Sequence, residues 1–267
     1  MGSVIIIDAK IAPVSGHERA LAQGHLRALQ GMGGFNRGHR ELLICDRGYL
    51  SHEFVEPLQD KEIAYVTRAR KGFIGERDIE GKKDSVVPLG KTGLQTRVVQ
   101  IPLVTGETEI PITNLPEAET EYDAFGELYH KRCGIGTKYK ELKQKLETEN
   151  FSGRLADNVK QDFYAMMTVA NMAAGCVREA DRNAKKKREN QENLYEYQIN
   201  VNHAIGVFKD RFIRIVIEED HITRRCLTRE LIRSMERRVV PIRLNREVVR
   251  KDCNRKARFS HNHKSNC

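Results

Sequence analysis

Between Glu41 and Arg70 the chain reads ELLICDRGYLSHEFVEPLQDKEIAYVTRAR, and this stretch limits the fold more than any other. LLIC and IAYV are short apolar runs of the kind that form buried strands. The segment between them, SHEFVEPLQDKE, has the length of a short helix capped by Ser51, although Pro57 inside it weakens that assignment. A helix between two strands is the connection that a parallel pair needs, since a tight turn only returns the chain antiparallel. Upstream, SVIIIDAKIAP reads as a strand, β-branched from Val4 to Ile7 and ended by Pro13. SGHERALAQGHLRALQ follows as a helix with Ser15 as N-cap and Ala20, Leu21, Ala28 and Leu29 on its apolar side; Gly31, Gly33 and Gly34 stop it. Strand, helix, strand, helix, strand predicts an α/β fold with at least one parallel crossover.

From Ile74 to Asn114 no helical period is evident, and RVVQIPL and EIPITNL flank Thr105–Gly106 as a hairpin would. A β-rich insertion is expected there. A helix follows from about Thr120 to Leu146. A long amphipathic helix then starts near Leu155, with Phe163, Met167, Ala170, Ala174 and Val177 on its core side. RNAKKKRENQEN, residues 182–193, reads as a charged, solvated linker. Two further helices run through Ile205, Phe208, Phe212 and Ile215 and through Leu227, Leu231 and Met235. After Pro241 the chain is basic and expected to be extended.

Charge is unevenly placed. Residues 223–267 hold 14 Lys and Arg against 4 Asp and Glu, while the other 222 residues hold 32 basic against 33 acidic groups. All the positive excess is C-terminal, as in an arm that binds a polyanion such as nucleic acid. A solvated surface and tail that keep the protein soluble is the plainer alternative. Six scattered cysteines with no C-x-x-C pair exclude a dense disulfide framework. Cys253, His261, His263 and Cys267 cluster without a standard zinc spacing, so a basic tail is the better reading of them than a metal site. No apolar run approaches the ~20 residues of a membrane span. No secretory signal is visible, and Ile6 stands where a myristoylation motif needs Ser or Thr. A cytoplasmic protein without a membrane partner is expected.

Two features could carry chemistry. Asp46 ends the LLIC run, at the carboxyl end of a strand where α/β proteins place their sites, and Gly48 would let the chain turn and keep the carboxylate open. A structural turn residue is the competing reading. The second feature is the helix through YHKRCGIGTKYKELKQK, residues 129–145. Tyr129, Arg132, Gly136 and Lys143 fall within about 60° of one another on one face. Leu128, Ile135, Tyr139, Leu142 and Leu146 form an apolar stripe beside them. A hydroxyl and two cations in line suit phosphate contacts. A glycine in that row is a liability, worth about 1 kcal/mol less than alanine in a helix.

On these motifs the chain resembles the DDE transposases of bacterial insertion sequences, specifically the insertion-sequence-four-type group. Asp46–Tyr49 (DRGY) matches the strand-end motif of that group's second catalytic Asp. Tyr129, Arg132 and Lys143 match its helix signature of Tyr, two residues, Arg, three residues, Glu, six residues, Lys, with Gly136 at the Glu position. Further similar segments run in order from IIIDAKIAP and YVTRARKGF through ITNLP, YKELKQKLETENFSG and QDFYA to RVVPIR. The resemblance implies a ribonuclease-H-like mixed sheet with flanking helices, its first strands missing. The organisation it implies is a first core part over 1–73, a β-rich insertion over 74–119, a second core part with the catalytic-type helix over 120–181, and a helical C-terminal region with a basic tail over 182–267. It implies DNA transposition by two-metal chemistry on Mg or Mn, with Asp46 as a metal ligand. Tyr129, Arg132, Lys143 and Arg47 would contact DNA at transposon ends.

Two departures qualify this. The group's first Asp lies upstream of IIIDAKIAP, so Asp8 does not replace it, and Gly136 brings no carboxylate. With one acid of three, the expectation is an N-terminally truncated, catalytically inactive transposase that still binds DNA. It could form homo-oligomers or pair with an intact transposase. The alternatives are a non-enzymatic DNA-binding regulator of a transposable element and a decayed product without a role.

Overall fold

The computed structural model describes residues 5–13, 15–32, 41–69, 72–74, 79–89, 93–102, 106–128, 136, 139, 142–143, 145–146, 150–192 and 194–242. They belong to two compact units, residues 8–137 and residues 1–7 together with 138–267.

In the unit of residues 8–137 the chain forms α1 (Glu18–Gly31), β1 (Leu42–Cys45), α2 (His52–Asp60) and β2 (Ala64–Arg68). The strands β3 (Asp84–Leu89), β4 (Leu94–Val99), β5 (Ile101–Pro102), β6 (Thr108–Glu109) and β7 (Pro111–Thr113) follow. β1 and β2 are parallel, with Leu42 opposite Ala64 and Cys45 opposite Thr67, as the crossover through α2 requires. The sheet runs in the order β1-β2-β7-β4-β3, and every contact beyond β2 is antiparallel. The β-rich segment thus extends the sheet that β1 and β2 begin. β5 and β6 pair as a separate small hairpin around the expected turn.

β2 is the hinge of this core. Side chains alternate across a strand, so Tyr65 packs with Phe54, Val55 and Leu58 of α2, while Ala64 and Val66 pack with Val99, Leu115 and Phe125 on the other face. The consecutive apolar residues Ala64, Tyr65 and Val66 are what burial on both faces demands. Beyond the last β2–β7 pair, the Asn114 side chain continues the ladder, accepting from Tyr65 N and donating to Ile63 O, both at 2.9 Å. Arg97 of β4, 5% exposed, ties the hairpin to the chain that follows the sheet. Its Nε and Nη2 donate to the Asp84 carboxylate at 2.9 and 2.6 Å, and Nη1 donates to the Leu115 and Thr120 carbonyls at 3.3 and 2.8 Å. The guanidinium also lies 5.0 Å from the Phe125 ring centroid.

In the other unit, α3 (Ala156–Lys186), α4 (Val201–Ile217) and α5 (His221–Glu236) pack together, with β8 (Tyr197–Ile199) antiparallel to β9 (Val239–Pro241). Ala173, Ala180 and Ala184 of α3 are small enough to bring Phe208, Leu231 and Met235 close. Asn200 caps α4 through Asn202 N and His203 N, and Asp220 caps α5 through Thr223 N at 2.7 Å. Such caps are worth about 1 kcal/mol each. Asp181 accepts from Ile199 N at 3.0 Å, fixing β8 to α3. Glu236, at the end of α5, accepts from Asn183 at 2.9 Å and from Lys187.

Several expectations are corrected. Residues 5–13 form no strand: Ile6 joins Leu142, Leu146, Ala170 and Ile205 in a cluster. Its backbone bonds to a side chain, donating to Asn171 Oδ1 at 2.8 Å and accepting from Nδ2 at 2.7 Å. The N-cap of α1 is His17, because Ser15 is spent in a turn closed by Gly16 N to Pro13 O. Ser51 does cap α2, but its hydroxyl makes no capping bond. The linker expected from residue 182 is helical as far as Lys186. Pairs on its outer side (Asp181–Lys185, Glu179–Arg182) and burial of Ala180 and Ala184 on its inner side carry α3 onward. In the expected 120–146 helix, residues 124–128, 136, 139, 142, 143 and 145 are helical, but Tyr139 is 59% exposed and not core, unlike Leu142 and Leu146. Ile135 and the whole tail from 243, including Cys253, His261, His263 and Cys267, lie outside the described residues.

Two predictions follow from this packing. Arg97→Met should lower unfolding free energy by about 3 kcal/mol, the low end for a broken buried pair, since the remaining Asp84 keeps some water. Adding Asp84→Leu should restore most of the loss in chemical denaturation, because the charge left behind drives the penalty. Cys45 is the other case: desolvation on β1, helped by the nearby Asp46 charge, pushes its thiol up to about 12. At pH 8 the thiolate is scarce, so iodoacetamide followed by peptide mapping should label exposed Cys226 long before Cys45. Equal labelling rates in the folded protein would contradict this.

Candidate functional site

β1 runs straight into the DRGY turn, which begins where the parallel pair with β2 ends. The Asp46 carbonyl accepts from Tyr49 N at 3.0 Å, closing the turn, and from Thr67 Oγ1 of β2 at 3.3 Å. Its carboxylate Oδ1 accepts from Arg47 N at 2.8 Å. Asp46 is therefore held at the carboxyl end of a parallel strand, half-buried, with the exposed Arg47 beside it. Gly48 is not demanded here: its φ is not left-handed, and a Cβ would meet nothing within 4 Å. The turn is fixed by the hydrogen bonds at Asp46. On its far side Tyr49 packs 6.0 Å from Phe54.

Gly136 is helical and exposed, and a Cβ there would also meet nothing within 4 Å. Neither backbone conformation nor crowding asks for glycine at this position. It belongs to the same unit as Asp46; Lys143, also helical and exposed, belongs to the other. Tyr129 and Arg132 lie outside the described residues.

The remaining acid near the start of the chain is already engaged. Asp8 accepts from or pairs with His25 Nδ1 at 2.7 Å and lies 3.6 Å from Lys10 Nζ. Burial pushes its carboxyl up, but the His25 hydrogen bond and the His25 and Lys10 charges outweigh that and bring it below the usual value. Sequence reading missed this pair, because its partners sit 17 residues apart across a turn.

Among the described residues no three of His, Cys, Asp and Glu stand together as a ligand set. One Asp carboxylate does not fit a pair of divalent ions, which need several hard oxygen donors. The cleft of about 540 Å³ over Leu42 and Ala64 is no substitute. Among the described residues that line it are Glu41, Glu119, Glu121 and Glu127, and none is a Lys or Arg, which disfavours a phosphate ligand there. Among the described residues no helix is long and apolar enough to cross a membrane.

The basic C-terminal excess resolves, in its described part, into a pattern that the charge count alone missed. Arg225, Arg229, Arg233 and Arg237 repeat every fourth residue along α5 and its C-cap, all exposed. The repeat was legible in the sequence once helix boundaries were drawn.

No curated protein matches the chain. A family model described as the transposase DDE domain matches residues 2–172, which is well over half of the chain. With Asp46 at the end of a parallel strand in a mixed α/β sheet, the protein belongs to the DDE-domain transposase family.

Proposed function

We propose that this chain is a transposase-family protein of the insertion-sequence-four-type group that binds element-end DNA and does not cleave it. The observation that carries the reading is Gly136. An exposed helical site with nothing within 4 Å of an added Cβ holds a glycine, a poor helix former, at the signature's acid position. Asp46 is then the remaining acid, and Arg47, Tyr129, Arg132 and Lys143 are the residues for the DNA backbone and flanking nucleotides. Mg or Mn would supply Lewis-acid stabilisation in an intact relative; here the donor set at Asp46 does not fit two ions.

The fold is read as ribonuclease-H-like, divided as 1–73, 74–119, 120–181 and 182–267. The sheet order supports this, since β1 stands at an edge with β2 as its one neighbour among the described strands. A strand bearing the family's first acid would pair there. Such an edge is also a place for another chain to pair.

A regulatory role, occupying element ends or combining with an intact transposase in the cytoplasm, needs a folded body but no chemistry. The packed, side-chain-capped α4 and α5 favour it over a decayed product.

The test is strand cleavage of an end-bearing duplex with Mg²⁺ by four proteins. These are the parent, Gly136→Glu, the parent carrying the upstream strand of an intact relative, and the combination. The first three should be silent and the fourth should nick. Gly136→Glu should meanwhile raise stability by somewhat under ~1 kcal/mol, since Glu is the better helix former. Cleavage by the parent would overturn the inactive reading.

A further inference from the structure

The α5 arginine row has three properties that a merely soluble surface does not need. First, among the described residues none of Arg225, Arg229, Arg233 and Arg237 donates a hydrogen bond or forms an ion pair, although the Arg233 charge also acts on Glu236. Their neighbour Arg224, by contrast, is taken up by the Glu218 carbonyl. Second, the spacing opposes helix stability. Like charges four residues apart repel on a helix surface, and this row contains three such pairs in succession. A surface meant only for solubility would alternate signs. Third, the row borders a groove of about 560 Å³ between α3 and α5, with Lys186 and Lys187 on one wall and Arg229 and Arg233 on the other.

The acids of that groove are already neutralised. Glu179 pairs with Arg182, and Glu236 accepts from both Lys187 and Asn183. Burial pushes the Glu236 carboxyl up, but those hydrogen bonds and the Lys187 and Arg233 charges hold it below its usual value, so it stays ionised and committed. Lys186, Arg229 and Arg233 are left as net positive charge on the groove. Arg225 to Arg237 spans about 18 Å of helix, over which one strand of a duplex presents roughly five phosphates. Guanidinium forks suit phosphate oxygens better than ammonium groups do.

We propose that α5 and the α3–α5 groove form a track for the sugar-phosphate backbone of duplex DNA, gripping it without regard to sequence. This rests on the reading of the chain as a DNA-binding transposase relative and locates the grip on a folded helix, apart from the residues around Asp46 and from the tail beyond residue 242.

The experiment measures binding of the full chain to a duplex of arbitrary sequence between 50 and 200 mM salt. The track variant carries Arg225→Gln, Arg229→Gln, Arg233→Gln and Arg237→Gln. A charge-matched control carries Arg27→Gln, Arg154→Gln, Lys160→Gln and Lys209→Gln, all at exposed sites elsewhere. With a slope of about −0.9 per neutralised phosphate, the track variant should lose roughly 3 to 4 from the log–log salt slope, and the control almost none. The track variant should also melt close to the parent, since Gln removes the repulsion at a helix propensity similar to that of Arg. Equal losses in both variants would reduce the effect to net charge and overturn the track. A parent that binds steeply while the track variant keeps its slope would overturn this inference and leave DNA binding standing. A parent that binds no duplex would sink both.

Discussion

The parallel pairing of β1 with β2 is the constraint on which the sheet and its site depend. A parallel neighbour brings both strands to the same end, and there the chain must leave β1 in a turn. Asp46 is the first residue of that exit, anchored by Thr67 from the partner strand. β2 can hold this position because it is apolar on both faces, between α2 on one side and Leu115 and Phe125 on the other. Arg97 completes the arrangement: the chain beyond β7 would otherwise leave the sheet with polar carbonyls at 115 and 120 unpaired, and one guanidinium bonds both. A charge so enclosed is tolerable only because Asp84 and the two carbonyls satisfy it together.

The helical unit is built on a different economy of space. Alanines on the inner side of α3 let α4 and α5 approach closely, and the larger Phe208, Leu231 and Met235 fill the space between. Cations are thereby confined to the outer sides. Beside the end of α5 they divide into two kinds, those paired inside the fold, such as Lys187 with Glu236, and those without an ion pair among the described residues, such as Arg229.

Much of this was legible in the sequence, for identifiable reasons. Strand–helix–strand over residues 42–68 is encoded locally, by two apolar runs separated by a helix-length segment, and it appears as read. So do the core sides of α3 to α5, because helical periodicity is also local. What failed depends on distant partners. The apolar run at 5–7 looks like a strand, but its backbone partner is the amide of Asn171, 165 residues away. An asparagine side chain presents a donor and an acceptor side by side, as a neighbouring strand does, and Asn114 does the same for β2. The charged run 182–186 looked like a linker because its surface residues are polar on every side but one, and two alanines sufficed to keep it helical. At the site, Asp46 was legible from its strand, whereas the engagement of Asp8 by His25 was not.

On the proposed reading, glycine at the signature's acid position and the exposed cations act in the same physical direction. A catalytic carboxylate among phosphate-binding cations repels the backbone it is meant to cut, and a metal ion is what makes its presence tolerable. If 136 is the acid position, as proposed, glycine there removes that position's share of the repulsion. On α5 the arginines likewise carry repulsion among themselves that only a polyanion relieves. Chemistry and grip therefore draw on opposite charges in this fold. On the proposed reading, the chain keeps Asp46 at the strand end, lacks the signature's acid at 136, and carries a cationic surface whose repulsion a polyanion would relieve.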